Sequence, residues 1–152
     1  MKIKIVWVGR TRDPWVKEAV AEYAGRVRRY CQLELVEARE EKGADPAEQR
    51  RRECERLEKL IPAGAVTVLL DETGEQLTSP AFAAYLGRQR DCGVSELVLV
   101  IGGAYGFNDG LRRRGRLLAL SQLTFTHQMV RPILLEQLYR AFTILQGEPY
   151  HH

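Results

Sequence analysis

Three glycines close on an apolar run at Leu97-Val98-Leu99-Val100-Ile101-Gly102-Gly103-Ala104-Tyr105-Gly106, and this is where the chain could hold a ligand. A short unbroken run of branched apolar residues reads as a strand buried on both faces, as in a parallel sheet. Glycines directly after it let the backbone turn at positive φ and let a ligand approach the main chain. In open α/β sheets, ligands bind outside the carboxyl ends of the strands, where this loop would lie. A ligand loop and a plain strand-to-helix turn fit these ten residues equally well. Side chains that could add proton transfer come later: His127, Glu136 and His151 qualify by residue type.

Several chemistries are excluded. The loop reads Gly-Gly-x-x-Gly after the fourth strand, not the dinucleotide pattern after the first, and Glu136 lies too far on to hold a ribose. No Gly-Lys-Ser/Thr follows, so this is not a P-loop. Ser79 and Ser121 lack a nucleophile-elbow context, and no second acid stands ready for a paired-carboxylate hydrolase. Cys31, Cys54 and Cys92 are odd in number and outside any C-x-x-C pattern, which predicts free thiols in a reducing compartment and no zinc site. His151 and His152 adjoin each other and His127 stands alone, so no metal is expected. What survives is a loop able to hold an adenosine-type ligand through its backbone, beside a polar, basic carboxyl-terminal third.

The elements that must position this loop follow from capping and periodicity. Asp13-Pro14, Asp45-Pro46 and Ser79-Pro80 each open a helix. The first carries a stripe of Trp15, Val16, Ala19, Val20, Tyr23, Ala24 and Val27. The second runs to about Leu60, and its Arg50-Arg51-Arg52 run reads as a solvated face because acids follow at once. The third runs to about Gln89. Strands are predicted at Met1–Val8, Leu33–Val36, Ala65–Leu70 and Leu97–Ile101, with Asp71–Gly74 a polar turn and Glu40–Ala44 a mobile loop. The resulting β-α-β-α-β-α-β order implies a mostly parallel α/β sheet with helices on both faces, in a single domain spanning residues 1–152.

After Gly106 the pattern changes. Asn108-Asp109 can cap a short helix holding Arg112, Arg113, Arg114 and Arg116, which no acid interrupts and which read as RNA-backbone contacts. Leu117–Leu120 fits one more strand, and 121–126 has no period. Met129–Leu145 is apolar nearly all round, which predicts cover from a second copy of the chain, a homodimer. Arg131 sits at that helix's start, against the macrodipole, where an anionic partner would offset it. Tyr150 and His151, on a tail unsuited to a core, suit base stacking and phosphate contact. The composition, 45% hydrophobic and 28% charged with net charge +3, is that of an ordinary globular protein and permits a nucleic-acid partner. The apolar run Ile3–Val8 is too short for a membrane span, so no membrane is expected and the cytoplasm is the default location.

Several motifs, weak singly but specific in their order, run along essentially the whole chain. They are Leu70-Asp71, Ile101–Gly106, Leu120-Ser121-Gln122-Leu123-Thr124-Phe125, His127, Val130-Arg131, Glu136–Ala141 and Pro149-Tyr150-His151. In this set the chain resembles the SPOUT methyltransferases and, within them, the ribosomal RNA large subunit methyltransferase H family. The resemblance implies a carboxyl-terminal third threaded as a trefoil knot, an exception to the usual avoidance of threading. It further implies a homodimer using S-adenosylmethionine to methylate N3 of a pseudouridine in helix 69 of 23S rRNA on the assembled ribosome. Cofactor contacts would fall to Leu70, Gly102, Leu120, Ser121, Gln122, Leu123, Thr124 and Phe125. Substrate positioning or proton transfer would fall to His127, Arg131, Glu136, Tyr150 and His151. The tail departs from the family's His-Pro-Tyr-His followed by a basic residue: Glu148 precedes Pro149 and His152 ends the chain, which puts rRNA affinity in doubt but not the cofactor site.

Overall fold

The computed structural model describes residues 1–152. In chain order the elements are β1 (Lys2–Val8), α1 (Pro14–Val27), β2 (Leu33–Ala38), α2 (Pro46–Lys59), β3 (Val66–Gln76), α3 (Ser79–Asp91), β4 (Glu96–Ile101), α4 (Asp109–Arg112), β5 (Arg116–Ala119) and α5 (His127–Gln146). The strands form one sheet in the order β2-β1-β4-β3-β5, and every pairing is parallel. The apolar run Leu97–Ile101 lies in β4, the central strand, buried throughout. Alternation assigns the two faces. Ile3, Ile5, Leu97, Leu99 and Val68 face α1, α3 and α5. Val6, Val8, Val98, Val100 and Leu69 face α2 and α4. Helices therefore cover both faces, as expected, and all the strand ends that could hold a ligand lie on one rim of the sheet.

Most helix starts form as the capping logic requires. The Asp45 carboxylate accepts from the Glu48 N–H at 2.9 Å, and Asn108 accepts from Leu111 N–H at 2.9 Å. Asp13 occupies its cap position without a side-chain bond. One cap falls one residue from the expected choice: Thr78, not Ser79, caps α3. Thr126 caps α5, so that helix starts at His127, two residues before the apolar stretch Met129–Leu145.

Three expectations change. Asp71–Gly74 is not a terminating turn, because β3 continues to Gln76. The pairing of β3 with β5 shifts between Leu70 and Glu75 and then resumes, so a second strand satisfies the polar stretch. The Glu40–Ala44 loop lacks an apolar anchor but is held by ion pairs of Glu40 with Arg12 and of Glu41 with Arg52 and Arg56. Finally, α5 finds most of its cover within the chain, between α1 and α3 over the sheet, leaving Met129 as its one exposed large apolar residue. No helix is long and apolar enough to cross a membrane.

Candidate active site

The middle of β3 and the carboxyl ends of β4 and β5 open into a cleft of about 870 Å³, lined by Leu70 and Ile101, by the loop Gly102–Phe107, and by residues from Leu120 to Val130. Its size is in the range of small-molecule sites. The three glycines serve different ends. Only Gly106 has a positive φ, +70°, and its N–H donates to the Gly103 carbonyl at 3.1 Å to close the turn. A side chain at Gly103 would enter the Glu53 carboxylate, and one at Gly102 would press on the Phe107 ring at 3.1 Å. Gly102 does line the cleft, as expected of a position kept bare for a cofactor, but its bareness also lets Phe107 pack behind it.

The loop rests on α2, the helix whose charges suggested a solvated face. Glu53, 2% exposed, accepts from Glu41 N–H at 3.1 Å and from Gln49 at 3.4 Å, and burial pushes its carboxyl above the usual range. The Asn108 N–H donates to Cys54 Sγ at 3.3 Å, and the thiol donates to the Gly106 carbonyl at 3.8 Å. Burial raises the Cys54 pKa as well, so the thiol stays protonated and structural.

On the opposite side, Asp71 accepts from Thr73 N–H at 2.9 Å and from Arg112 Nη1 at 2.6 Å. Burial alone would raise the Asp71 pKa, but Thr73 and Arg112 outweigh it and hold the carboxyl below its ordinary value. Arg112 is thus paired within the chain, as is Arg116 with Glu75, while Arg113 and Arg114 remain exposed. The expected RNA-facing run is split in two. Beyond β5, Ser121 Oγ accepts from Leu123 N–H at 3.0 Å, and Thr124 donates to Glu72.

Of the residues expected at the cofactor, Leu70, Gly102, Leu120, Ser121, Leu123, Thr124 and Phe125 line the cleft, and Gln122 does not. His127 lines it too. Burial, then the nearby Arg131 cation, lowers the His127 pKa, so the imidazole is neutral at neutral pH. Arg131 itself does not reach the cleft. It is fully buried, with Nη1 donating to Thr11 Oγ1 at 2.9 Å and Nη2 to the Val8 carbonyl at 2.7 Å, and its guanidinium lies 4.8 Å from the Trp7 ring centroid. Desolvation lowers its pKa to about 10. Within the chain, two neutral oxygens and an aromatic face therefore hold the guanidinium.

Glu136, Tyr150 and His151 also lie off the cleft and form one cluster. Arg140 Nη2 donates to Glu136 at 2.6 Å, Tyr150 OH donates to the same oxygen at 3.0 Å, and Arg140 Nη1 sits 3.2 Å from His151 Nδ1. The Tyr150 ring packs edge-on against Tyr139 at 4.6 Å. Burial, followed by hydrogen bonds with Tyr23 and Glu136, pushes the Tyr150 phenol up to about 12. Glu148, the tail's departure, accepts from Tyr30 OH at 2.8 Å. From His127 to Glu136 the rise along α5 is about 13 Å, so the chain's own tail is docked well away from its own cleft.

Arg50, Tyr105, Phe107 and Val130 also line the cleft. Tyr105 and Val130 fall in the motifs quoted above and Arg50 in the run that reads as a solvated face, but the sequence singles out none of them as a site residue, and Phe107 falls in no motif. Only the Asp71-x-Thr73 spacing, which closes an Asx turn, carried a local signal.

Comparison with known proteins places this geometry. Residues 1–151 match the family model described as "Predicted SPOUT methyltransferase". The chain is 68% identical over 152 residues to the ribosomal RNA large subunit methyltransferase H of Pelobacter propionicus, covering all of both chains. It is 64% identical over 153 residues to the protein of that name from Geobacter metallireducens, covering 100% of this chain and 99% of the other. A third, from Geobacter sulfurreducens, is 61% identical over the full length of both. With a parallel sheet whose strand ends, glycine loop and late loop converge on one cleft, and with matches running end to end, this chain belongs to the SPOUT methyltransferase family.

Proposed function

We propose that this protein is an S-adenosylmethionine-dependent methyltransferase acting on 23S rRNA. It works as a homodimer on the assembled ribosome and modifies N3 of a pseudouridine in helix 69. The observation that carries the reading is the cleft: the end of the apolar stretch of β3 at Leu70, the backbone of Gly102–Gly106 and the loop Leu120–Phe125 meet in one place. That combination fits a ligand with a flat apolar purine, a polar ribose and an amino-acid end, held mostly by main-chain groups. The cofactor supplies a sulfonium methyl group, electrophilic at carbon. The chain supplies position and electrostatics. The loops fix the approach of the acceptor nitrogen. His127, neutral in the cleft, is the side chain suited to take the N3 proton. The carboxyl-terminal third, by the same reading, is threaded as a trefoil knot, which brings Leu120–Phe125 to the cleft.

The test is incorporation of label from methyl-labelled S-adenosylmethionine into ribosomes lacking the modification. Label at N3 of one pseudouridine in 23S rRNA is the expected result. Label on tRNA with none on ribosomes moves the substrate to another RNA, and absence of cofactor binding by calorimetry leaves an RNA-binding module without catalysis.

A further inference from the structure

Resting on that reading, we propose that Arg50 and Tyr105 form a subsite on the mouth of the cleft for the RNA substrate, Arg50 holding a backbone phosphate and Tyr105 stacking on a base. Arg50 stands three and four residues before Glu53 and Cys54, the two side chains that seat the glycine loop, so all three share one face of α2. That spacing carries Arg50 one turn past the seat and onto the cleft wall. Its neighbours are spoken for: Arg51 pairs with Glu48 and Glu55, and Arg52 with Glu48 and Glu41. Arg112, the other arginine of the cleft, pairs with Asp71. Arg50 is the lining arginine with no carboxylate partner and no hydrogen bond inside the chain.

On the same cleft, Tyr105 is 46% exposed, its ring open to solvent. It stacks on no other ring of the chain. A free guanidinium offers forked donors matched to phosphate, and an exposed ring offers a sequence-tolerant platform for a base. Exposure selects RNA over the cofactor's carboxylate as the anion. Arg50 and Tyr105 lie on the solvent side, while Ile101 and Gly102, at the strand end where the cofactor would sit, are buried. Arg113 and Arg114, which follow Arg112 in sequence, are exposed and without an ion pair.

The experiment compares the full-length protein with Arg50→Gln, Arg50→Lys and Tyr105→Ala. Binding to ribosomes lacking the modification is measured over a salt series, and S-adenosylmethionine affinity by calorimetry. Arg50→Gln is expected to weaken ribosome binding about 5-fold and to flatten the salt slope by about 0.7 to 0.9, the loss of one phosphate contact. Arg50→Lys should recover most of the affinity and the slope. Tyr105→Ala should weaken binding with the slope unchanged, and cofactor affinity should hold in all three. An unchanged salt slope in Arg50→Gln overturns the proposal, as does a loss of cofactor affinity with ribosome binding intact, which would give Arg50 to the cofactor. If the unsubstituted protein neither binds nor methylates ribosomes, the functional reading itself fails, and this subsite with it.

Discussion

Arg131 and His127, four residues apart on the first turns of α5, divide a structural and a chemical task between them. Arg131 ties α5 to the end of β1 through the Val8 carbonyl and Thr11, across the Trp7 face. In Arg131→Met those oxygens lose a charged donor inside the protein, which outweighs the relief of desolvating a cation. The expected loss is about 2 kcal/mol, seen as a lower urea midpoint at unchanged slope. Cofactor affinity should be untouched, since the side chain is off the cleft. For His127, burial and the Arg131 cation lower the folded-state pKa below the ordinary 6.5. Just below pH 6.5 the unfolded chain therefore binds more protons than the folded one. Stability from this group is complete above pH 6.5 and falls as the pH drops through the folded value. The acid limb of kcat/KM should likewise have its midpoint below 6.5. His127→Gln should abolish that limb and slow methyl transfer by about 100-fold or more, and a retained limb would assign the proton elsewhere.

Among the elements, the seam between β3 and β5 is the tightest. A Cβ on Gly74 would stand 2.6 Å from the Leu117 carbonyl carbon, and one on Gly115 would collide with the Thr67 carbonyl. Both obstacles are backbone, so no rotamer change relieves them. Gly74→Ala and Gly115→Ala should each destabilise the protein by about 3 kcal/mol or more and weaken S-adenosylmethionine binding, because β5 delivers Leu120 to the cleft. Thermal unfolding with and without cofactor checks both. This seam also shows where reading the chain stops. Apolar runs and Asp-Pro pairs mark strands and helix starts locally, and they suffice for the doubly covered parallel sheet and for the glycine loop's place on it. The second half of β3 is polar and turn-like, and only its partner β5, some forty residues on, makes it a strand. Glu53 is legible only as one charge among many on α2, since its burial depends on Gly103 being bare. The tail's docking depends on Tyr30, Tyr139 and Arg140, whose convergence no local period announces.

At the scale of the whole molecule, the distance between tail and cleft sets the terms for assembly. Tyr150 and His151 are docked on α5 around Glu136 and Arg140, while the cleft meets the same helix at His127 and Val130. A tail that takes part in methyl transfer must then serve a cleft on a second copy. Trp15, 55% exposed at the start of α1, and Met129 near the start of α5 offer apolar surface for that copy. Deleting residues 149–152 leaves the Glu148 N–H on the Thr143 carbonyl and the Glu148 carboxylate on Tyr30, so α5 keeps its end. The truncated chain should fold and bind cofactor yet fail to methylate. Leu123→Glu places a charge on an exposed cleft-lining position without disturbing the core, and it should fold but lose the cofactor. Neither chain alone should be active. After subunit exchange, half of the dimers pair one of each, and each such dimer rebuilds one of its two sites, so the mixture should recover about a quarter of full activity. A mixture that stays inactive, or a monomeric mass in sedimentation at micromolar concentration, would show that each cleft works without its neighbour's tail.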